Sequence, residues 1–430
     1  MKRSILTLSL LSALAVTSCQ RDFDEVTPQR EPQASETGSP TTPARAFLST
    51  QGAEAGVLYF RIQRSAKSSL RAFDANGASM SSLPSQMAQS LRSIGTESLE
   101  PLFPIDPRFE ERMRREGLDL WYVVRFNKQQ DLQAAMQTLS TTPEIEYTEP
   151  VYEIARPTGK AVAVDAPRRS DAPAAPFDDP MLGDQWHYNN TGRFPRSVAG
   201  ADIGLFKAWE KETGKPNVIV AITDGGIDIT HPDLKDNLFV NQKELNGQEG
   251  VDDDGNGFID DINGFNFIHN NGKIYPDDES HGTHVAGTVA ARNNNGIGVA
   301  GIAGGDGTEG SGARLMSCQI FGGEREGGNS ANAIVYSANN GAVISQNSWG
   351  YIYKANITAI PQSQKAAIDY FIKYAGCDKD GNQLPNSPMK GGVVIFAAGN
   401  DGLDYRSFPG AYPPVVAVGS MAPDWKSAYL

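Results

Sequence analysis

The sequence predicts an α/β architecture: a parallel-sheet domain over residues 179–430, preceded by a small α+β domain over 46–156. Three observations lead there. Short apolar runs at 218–223, 315–321, 342–346, 393–397 and 415–418 alternate with helical segments, the pattern of a parallel sheet buried on both faces. Upstream, a strand–helix–strand succession stands apart from them. A chain of 430 residues is also long for one domain and comfortable for two.

At the N-terminus, Lys2 and Arg3 precede an apolar stretch, 5–16, too short to span a bilayer as a mature helix. It ends in Val16-Thr17-Ser18-Cys19, which is similar to a bacterial lipobox. Residues 1–18 then read as a signal peptide and Cys19 as the acylated residue of an exported, membrane-anchored lipoprotein. A plain signal peptide with an incidental cysteine is the alternative, and gives a secreted protein. Residues 19–45, rich in Pro, Ser, Thr and Glu, can bury no core and read as a tether.

Within 46–156, strands are expected at 57–62 and 120–126. Leu132, Ala135, Met136 and Leu139 fall at i, i+3, i+4 and i+7, one face of a helix that Pro143 stops. A strand returns over 145–154. Residues 157–178 hold Pro157, Gly159, Pro167, Arg168-Arg169, Pro173 and Pro176, a linker with basic cut sites.

Composition narrows the function. Hydrophobic content of 39% and charged content of 21% describe an ordinary globular protein. A net charge of −13 leaves no basic block to neutralise phosphates, which excludes nucleic acid as the partner. Three cysteines supply no disulfide framework. Cys318, on an apolar run, reads as a core residue and Cys377 as a surface-loop thiol.

Three segments carry chemistry. Residues 218–223 lead into Asp224-Gly225-Gly226, which places an acid at the carboxyl edge of the sheet, where catalytic groups gather. Ser280-His281-Gly282-Thr283-His284 opens a helix that Ser280 can cap. Gly287 is expected to allow close packing, and Val285, Ala286 and Val289 form the apolar face. His281 and His284 lie three apart, but the Glu of a zinc-protease helix is missing. Residues 393–398 lead into Gly399-Asn400, where an amide can donate to a developing oxyanion.

In this order the three segments closely resemble the subtilase (subtilisin-like) family, over most of 179–430. The resemblance implies a serine endopeptidase acting on polypeptides through an acyl-enzyme, made as a secreted zymogen. Asp224 would orient the imidazole, His281 would be the general base and Asn400 the oxyanion donor. Asn347-Ser348-Trp349-Gly350 matches the segment whose backbone pairs with an extended substrate, so Ser348, Trp349 and Gly350 are substrate-binding residues, with Trp349 crowding the site. Residues 46–156 look like a subtilase propeptide, which folds on the catalytic domain and inhibits it in cis. The family's Gly-Thr-Ser-Met-Ala nucleophile segment is not found. Gly419-Ser420-Met421-Ala422 matches a strand end instead, so the domain is expected to be incomplete at Leu430 and this fragment inert. A non-catalytic, calcium-binding and peptide-binding subtilase-like module is the alternative.

An insertion between Asp224 and His281 resembles a calcium loop. Asp252, Asp254, Asn256, Gly257, the Phe258 carbonyl and Asp260 fall at positions 1, 3, 5, 6, 7 and 9. Position 12 is Asn263 instead of Glu, so Asp261, water or a distant group would complete the shell. A solvated acidic loop is the alternative. A second calcium site is expected at Asp233 with the loop 293–299.

Overall fold

Alternation of apolar side chains along β1 (Ala53–Ile62) organises the N-terminal domain. It continues through α1 (Ser85–Ser93), β2 (Thr96–Pro101), α2 (Glu110–Arg115), β3 (Trp121–Phe126), α3 (Leu132–Ser140) and β4 (Ile145–Tyr152). The strands form an antiparallel sheet in the order β2-β3-β1-β4. Leu58, Phe60, Tyr122 and Val124 point to one face, where Met87 and Leu91 of α1 and Met136 and Leu139 of α3 cover them. Asp131 caps α3 by accepting from the Ala134 amide at 2.6 Å. The expected strands and helix are present; α1, β2 and α2 were not foreseen.

The computed structural model describes residues 48–68, 83–156, 175–322, 329–402 and 405–426, all within the unit Phe47–Leu430. The expected signal peptide, Cys19, the tether and the Arg168-Arg169 part of the linker lie outside the described residues. Among the described residues no helix is long and apolar enough to cross a membrane.

After the short strand β5 (Ile154–Ala155), the second domain runs α4 (Leu205–Trp209), β6 (Ile219–Asp224), α5 (Gln242–Leu245), β7 (Gly264–Asn266), α6 (His281–Ala290), β8 (Arg314–Gln319), α7 (Ser330–Asn339), β9 (Ile344–Asn347), β10 (Gly350–Tyr351), α8 (Gln362–Tyr374), β11 (Val393–Ala397) and β12 (Val416–Val418). Six parallel strands stand in the order β12-β11-β9-β6-β8-β7. Val220, Ile222 and Leu315 pack on Ala286 and Ala290 of α6. Ala221, Met316 and Phe396 share a core with residues of α7 and α8. The central strands are thus buried on both faces, as their apolar runs require. β12 departs from that expectation: Val416 is 49% and Val418 53% exposed, because the strand forms the sheet's edge. Cys377 also departs. It is buried, with its thiol donating to the Ala375 carbonyl at 3.5 Å, because α8 ends into a folded turn instead of an open loop.

The second face of the N-terminal sheet, with Tyr59, Trp121, Val123 and Tyr147, joins the core that includes α7 and α8. Two buried charged groups fix this contact. Arg112 donates to Tyr370 Oη at 2.7 Å, Asn339 Oδ1 at 2.8 Å, and the Cys377 and Asp378 carbonyls at 3.0 and 2.9 Å. Glu149 caps α8 by accepting from the Gln362 and Ser363 amides at 2.7 and 3.0 Å.

Candidate active site

β6 lies where the strand order reverses, with β8 on one side and β9 on the other, and it ends on Asp224. That is the crevice where open α/β sheets place ligands. Asp224 is fully buried. Its Oδ1 accepts from the Gly225 amide and from His281 Nδ1, both at 2.7 Å. A carboxylate only accepts, so the imidazole carries a proton on Nδ1 and leaves Nε2 as the basic nitrogen.

His281 opens α6, and two details differ from expectation. Ser280 stands at the N-cap position but has left-handed backbone, φ 54°, and makes no side-chain cap. Asp277 takes that role, accepting from the His281 amide at 3.2 Å. The close approach is at Gly282 and not at Gly287. A Cβ on Gly282 would collide with the Gly226 backbone, whereas the space around Gly287 is open. The helix start can therefore rest on the Asp224-Gly225-Gly226 turn, which brings imidazole and carboxylate together. Gly226 itself has φ 89°, which suits glycine.

A cleft of about 580 Å³ is lined by Arg156, Trp349, Gly350, Tyr351, Gly399 and Asn400 among others. Its floor is β10, and the N-terminal domain supplies an added strand: β5 pairs antiparallel with it, Ala155 opposite Gly350 and Ile154 opposite Tyr351. The Ile352 amide donates to the Glu153 carbonyl at 3.1 Å and continues the ladder. Of the three expected binding residues, Gly350 contributes backbone to this pairing. The Ser348 hydroxyl accepts from Gln346 Nε2 at 2.7 Å. Trp349 is 1% exposed and packs edge-on against Phe396, ring centroids 4.9 Å apart. Its indole supports β10 from the core instead of crowding the site. Ser420 lies just past the end of β12 at Val418, a strand end as expected.

The acidic insertion folds back on α5. Glu244, Asp252 and Asp254 offer carboxylate oxygens within 4.8 Å of one another, the metal-capable group found among the described residues, with no histidine in it. An all-oxygen set fits a hard cation such as calcium. Glu244 was not foreseen, because it precedes the loop and only the fold brings it there. It offers the extra carboxylate that Asn263 at position 12 does not; the Asn263 amide donates to the Phe239 carbonyl at 2.7 Å. Asn256 donates to Asp261 at 2.9 Å and accepts from the Phe258 amide at 2.6 Å. The Asp260 carboxylate turns to the Gly250 amide at 3.0 Å and stands outside the group. Burial pushes Asp261 up to about 7. The second expected site is a separate one: Asp233 does meet the loop 293–299, accepting from Asn295 Nδ2 at 2.8 Å and the Val299 amide at 3.0 Å, but it joins no group of three ligating His, Cys, Asp or Glu side chains among the described residues.

Comparison with known proteins agrees with this geometry. The model of the subtilase family matches residues 215–428, and that of the N-terminal of the subtilase family matches 65–192. The chain belongs to the subtilase family. Subtilisin-like protease 1 of Plasmodium berghei is 35% identical over 171 residues, covering 39% of this chain and 27% of that protein. The major intracellular serine protease of Bacillus subtilis is 31% identical over 223 residues, covering 50% of this chain and 54% of that protein. The chain thus spans about a quarter to a half of the length of these curated relatives. Fervidolysin from Fervidobacterium pennivorans, described as a keratinolytic enzyme related to subtilisin, superposes with a TM-score of 0.51 at 20% identity. The match covers 87% of this chain and 44% of that one, and shows the shared subtilase fold.

Proposed function

We propose that this subtilase is a serine endopeptidase made as a zymogen. The observation that carries the reading is a peptide segment, β5, paired as an added strand in a cleft lined by Asn400, with Arg156 after it reaching to Gly225 beside the Asp224–His281 pair. In the reaction, His281 Nε2 takes the proton of the attacking serine while Asp224 holds the ring and stabilises the imidazolium. The amide of Asn400 donates to the oxyanion as the carbonyl becomes tetrahedral. β10 aligns the substrate by main-chain hydrogen bonds, as it aligns β5. With β5 in place a substrate strand has no access to β10, so removal of the N-terminal domain is the activating step. Ser420 is not the nucleophile, since the reading needs a serine in the family's Gly-Thr-Ser-Met-Ala setting, which residues 1–430 do not supply.

The test is labelling of the full-length protein, activated by removal of its N-terminal domain, by a fluorophosphonate, with peptide hydrolysis measured alongside. Labelling that persists in Ser420→Ala and disappears in His281→Ala is expected. Peptide binding without labelling or hydrolysis would mark a non-catalytic module and end the reading.

Glu244, Asp252 and Asp254 would hold calcium, which when bound supplies positive charge that neutralises the loop's acids. Calcium should raise the melting temperature of the full-length protein, and Glu244→Gln should abolish most of that rise; equal shifts in both would count against the site. The sequence around Cys19 supports export with a lipid anchor, and a relative in Dichelobacter nodosus is called an extracellular basic protease. Fatty-acid labelling that survives Cys19→Ser would argue against the anchor.

A further inference from the structure

Arg156 directly follows the two residues of β5 that pair with β10, and it does not point to solvent. Its guanidinium spans two carboxylates, with Nη1 on Asp277 and Nη2 3.5 Å from Glu279. It also lies 5.9 Å over the Phe321 ring. Asp277 is almost fully buried, its carboxylate 2% exposed. A neighbouring cavity of about 480 Å³ is lined by Arg156, Asp277, Asp278, Glu279, Gln319 and Phe321 among others. Arg156 borders the cleft of Asn400 as well, so the acidic pocket opens from the peptide-binding cleft.

This pocket adjoins the reacting pair. Asp277 accepts from the His281 amide and donates its own amide to the Gly225 carbonyl at 3.0 Å, next to Asp224. A Cβ on Gly225 would stand 2.9 Å from Arg156 Nη1. Whatever occupies the position of Arg156 therefore sits beside the Asp224–His281 pair.

A buried carboxylate is stable only with a partner. While the N-terminal domain is in place, Arg156 is the partner of Asp277. Once that segment leaves, the pocket holds Asp277, Asp278 and Glu279, with no other arginine and no lysine among the described residues that line it. A substrate strand laid on β10 puts its own side chain into the same place, and a cationic one restores the lost pairing.

We propose that Asp277 and Glu279 select polypeptide substrates with a basic residue at the position that follows the β10-paired dipeptide. Arginine is preferred to lysine, because the planar fork of Arg156 reaches both carboxylates and a single ammonium does not. This rests on the reading of the cleft as a peptide site, but not on the identity of the nucleophile.

The experiment uses the full-length protein activated by removal of its N-terminal domain, and peptides of the sequence Tyr-Glu-Ile-Ala-X, extended by a common tail, with X as Arg, Lys, Gln or Leu. Dissociation constants are read by fluorescence anisotropy and hydrolysis by mass spectrometry. The Arg peptide is expected to bind at least tenfold more tightly than the Gln peptide, with Lys between them. The Arg-over-Gln ratio should shrink several-fold in Glu279→Gln, an exposed position that threatens folding little, and further when Asp277→Asn is added. Equal binding of the Arg and Gln peptides, or a ratio untouched by both substitutions, overturns the proposal. Binding by none of the peptides overturns it too. Preferential binding of Arg without hydrolysis supports the pocket and removes the peptidase reading; hydrolysis indifferent to X does the opposite.

Discussion

Two of the contacts that the N-terminal domain makes with the parallel-sheet domain are built differently. Against α7 and α8 it uses side chains: a shared apolar core, Arg112 with four hydrogen-bond partners, and Glu149 capping a helix. In the cleft it uses main chain: a two-residue ladder, Ile154 and Ala155 against β10, with Arg156 as the charged side chain that is docked. Side-chain jigsaw contacts tolerate few sequences, whereas a backbone ladder accepts almost any. The difference teaches where each property resides. On the proposed function, retention of the N-terminal domain rests on the helix face. The cleft can then stay permissive, filtering peptides by backbone shape and by charge at one position.

The comparison breaks most sharply if one side is removed without touching the other. His281→Ala should lower kcat/KM of the full-length protein about 10⁴-fold or more, the scale known for triad histidines. Its urea midpoint should barely move, since the docking face does not contain His281. A large loss of stability with intact turnover would reverse the assignment. Arg112→Ala is the opposite cut. It leaves the Asn339 and Tyr370 side chains and two carbonyls buried beside a void, at a cost of about 3–5 kcal/mol. That should appear as an earlier first transition in urea, and Arg112→Lys should recover little of it. Full recovery by lysine would mean that charge alone holds the face. Asn400→Ala should lower kcat while leaving KM near its original value, because the oxyanion exists only at the transition state. Losses of roughly 10²–10³-fold are already established for such a donor in subtilisin. A change confined to KM would make Asn400 a ground-state contact instead.

Legibility in the sequence follows the same division. Asp224, His281 and Asn400 could be named because each sits in a local pattern of strand, glycine and helix start, and local patterns are written in consecutive residues. Five of the six parallel strands were legible for the same reason; β7, only Gly264–Asn266, was not. Glu244 was not, because it reaches the acidic loop from a separate short helix. Arg112 was hidden by its surroundings in sequence: Glu110-Glu111-Arg112-Met113-Arg114-Arg115 reads as a solvated charged helix, and only Tyr370, Asn339 and two carbonyls from α8 and beyond make its burial possible. α1 and β2 escaped notice because they are short, polar and covered on one side only. The cap on α6 was given to the neighbouring Ser280, whose left-handed backbone leaves the role to Asp277.

The gentlest probe of the docking face is pH. Glu149 is fully buried, and burial pushes its carboxyl up to about 7 although two amides and the Ser363 side chain favour the ionised form. The phenols of Tyr59, Tyr147, Tyr152 and Tyr351 surround it, and their own ionisation is pushed up in turn, chiefly by burial. In the separated or unfolded state the group titrates near its ordinary 4.5, so docking takes up a proton between pH 4.5 and about 7. Its contribution is complete below that window and is lost as pH rises through it. One proton limits the slope to roughly tenfold per pH unit. Amide-exchange protection of β1 and β4 in the full-length protein should therefore fall as pH climbs from 5 to 7.5, after correction for intrinsic exchange. Glu149→Gln, which keeps an acceptor but cannot ionise, should flatten that dependence. Protection that rises with pH, or that falls equally in the variant, would assign the pH dependence to other groups, and Glu149 would then hold the N-terminal domain with the same strength across this range.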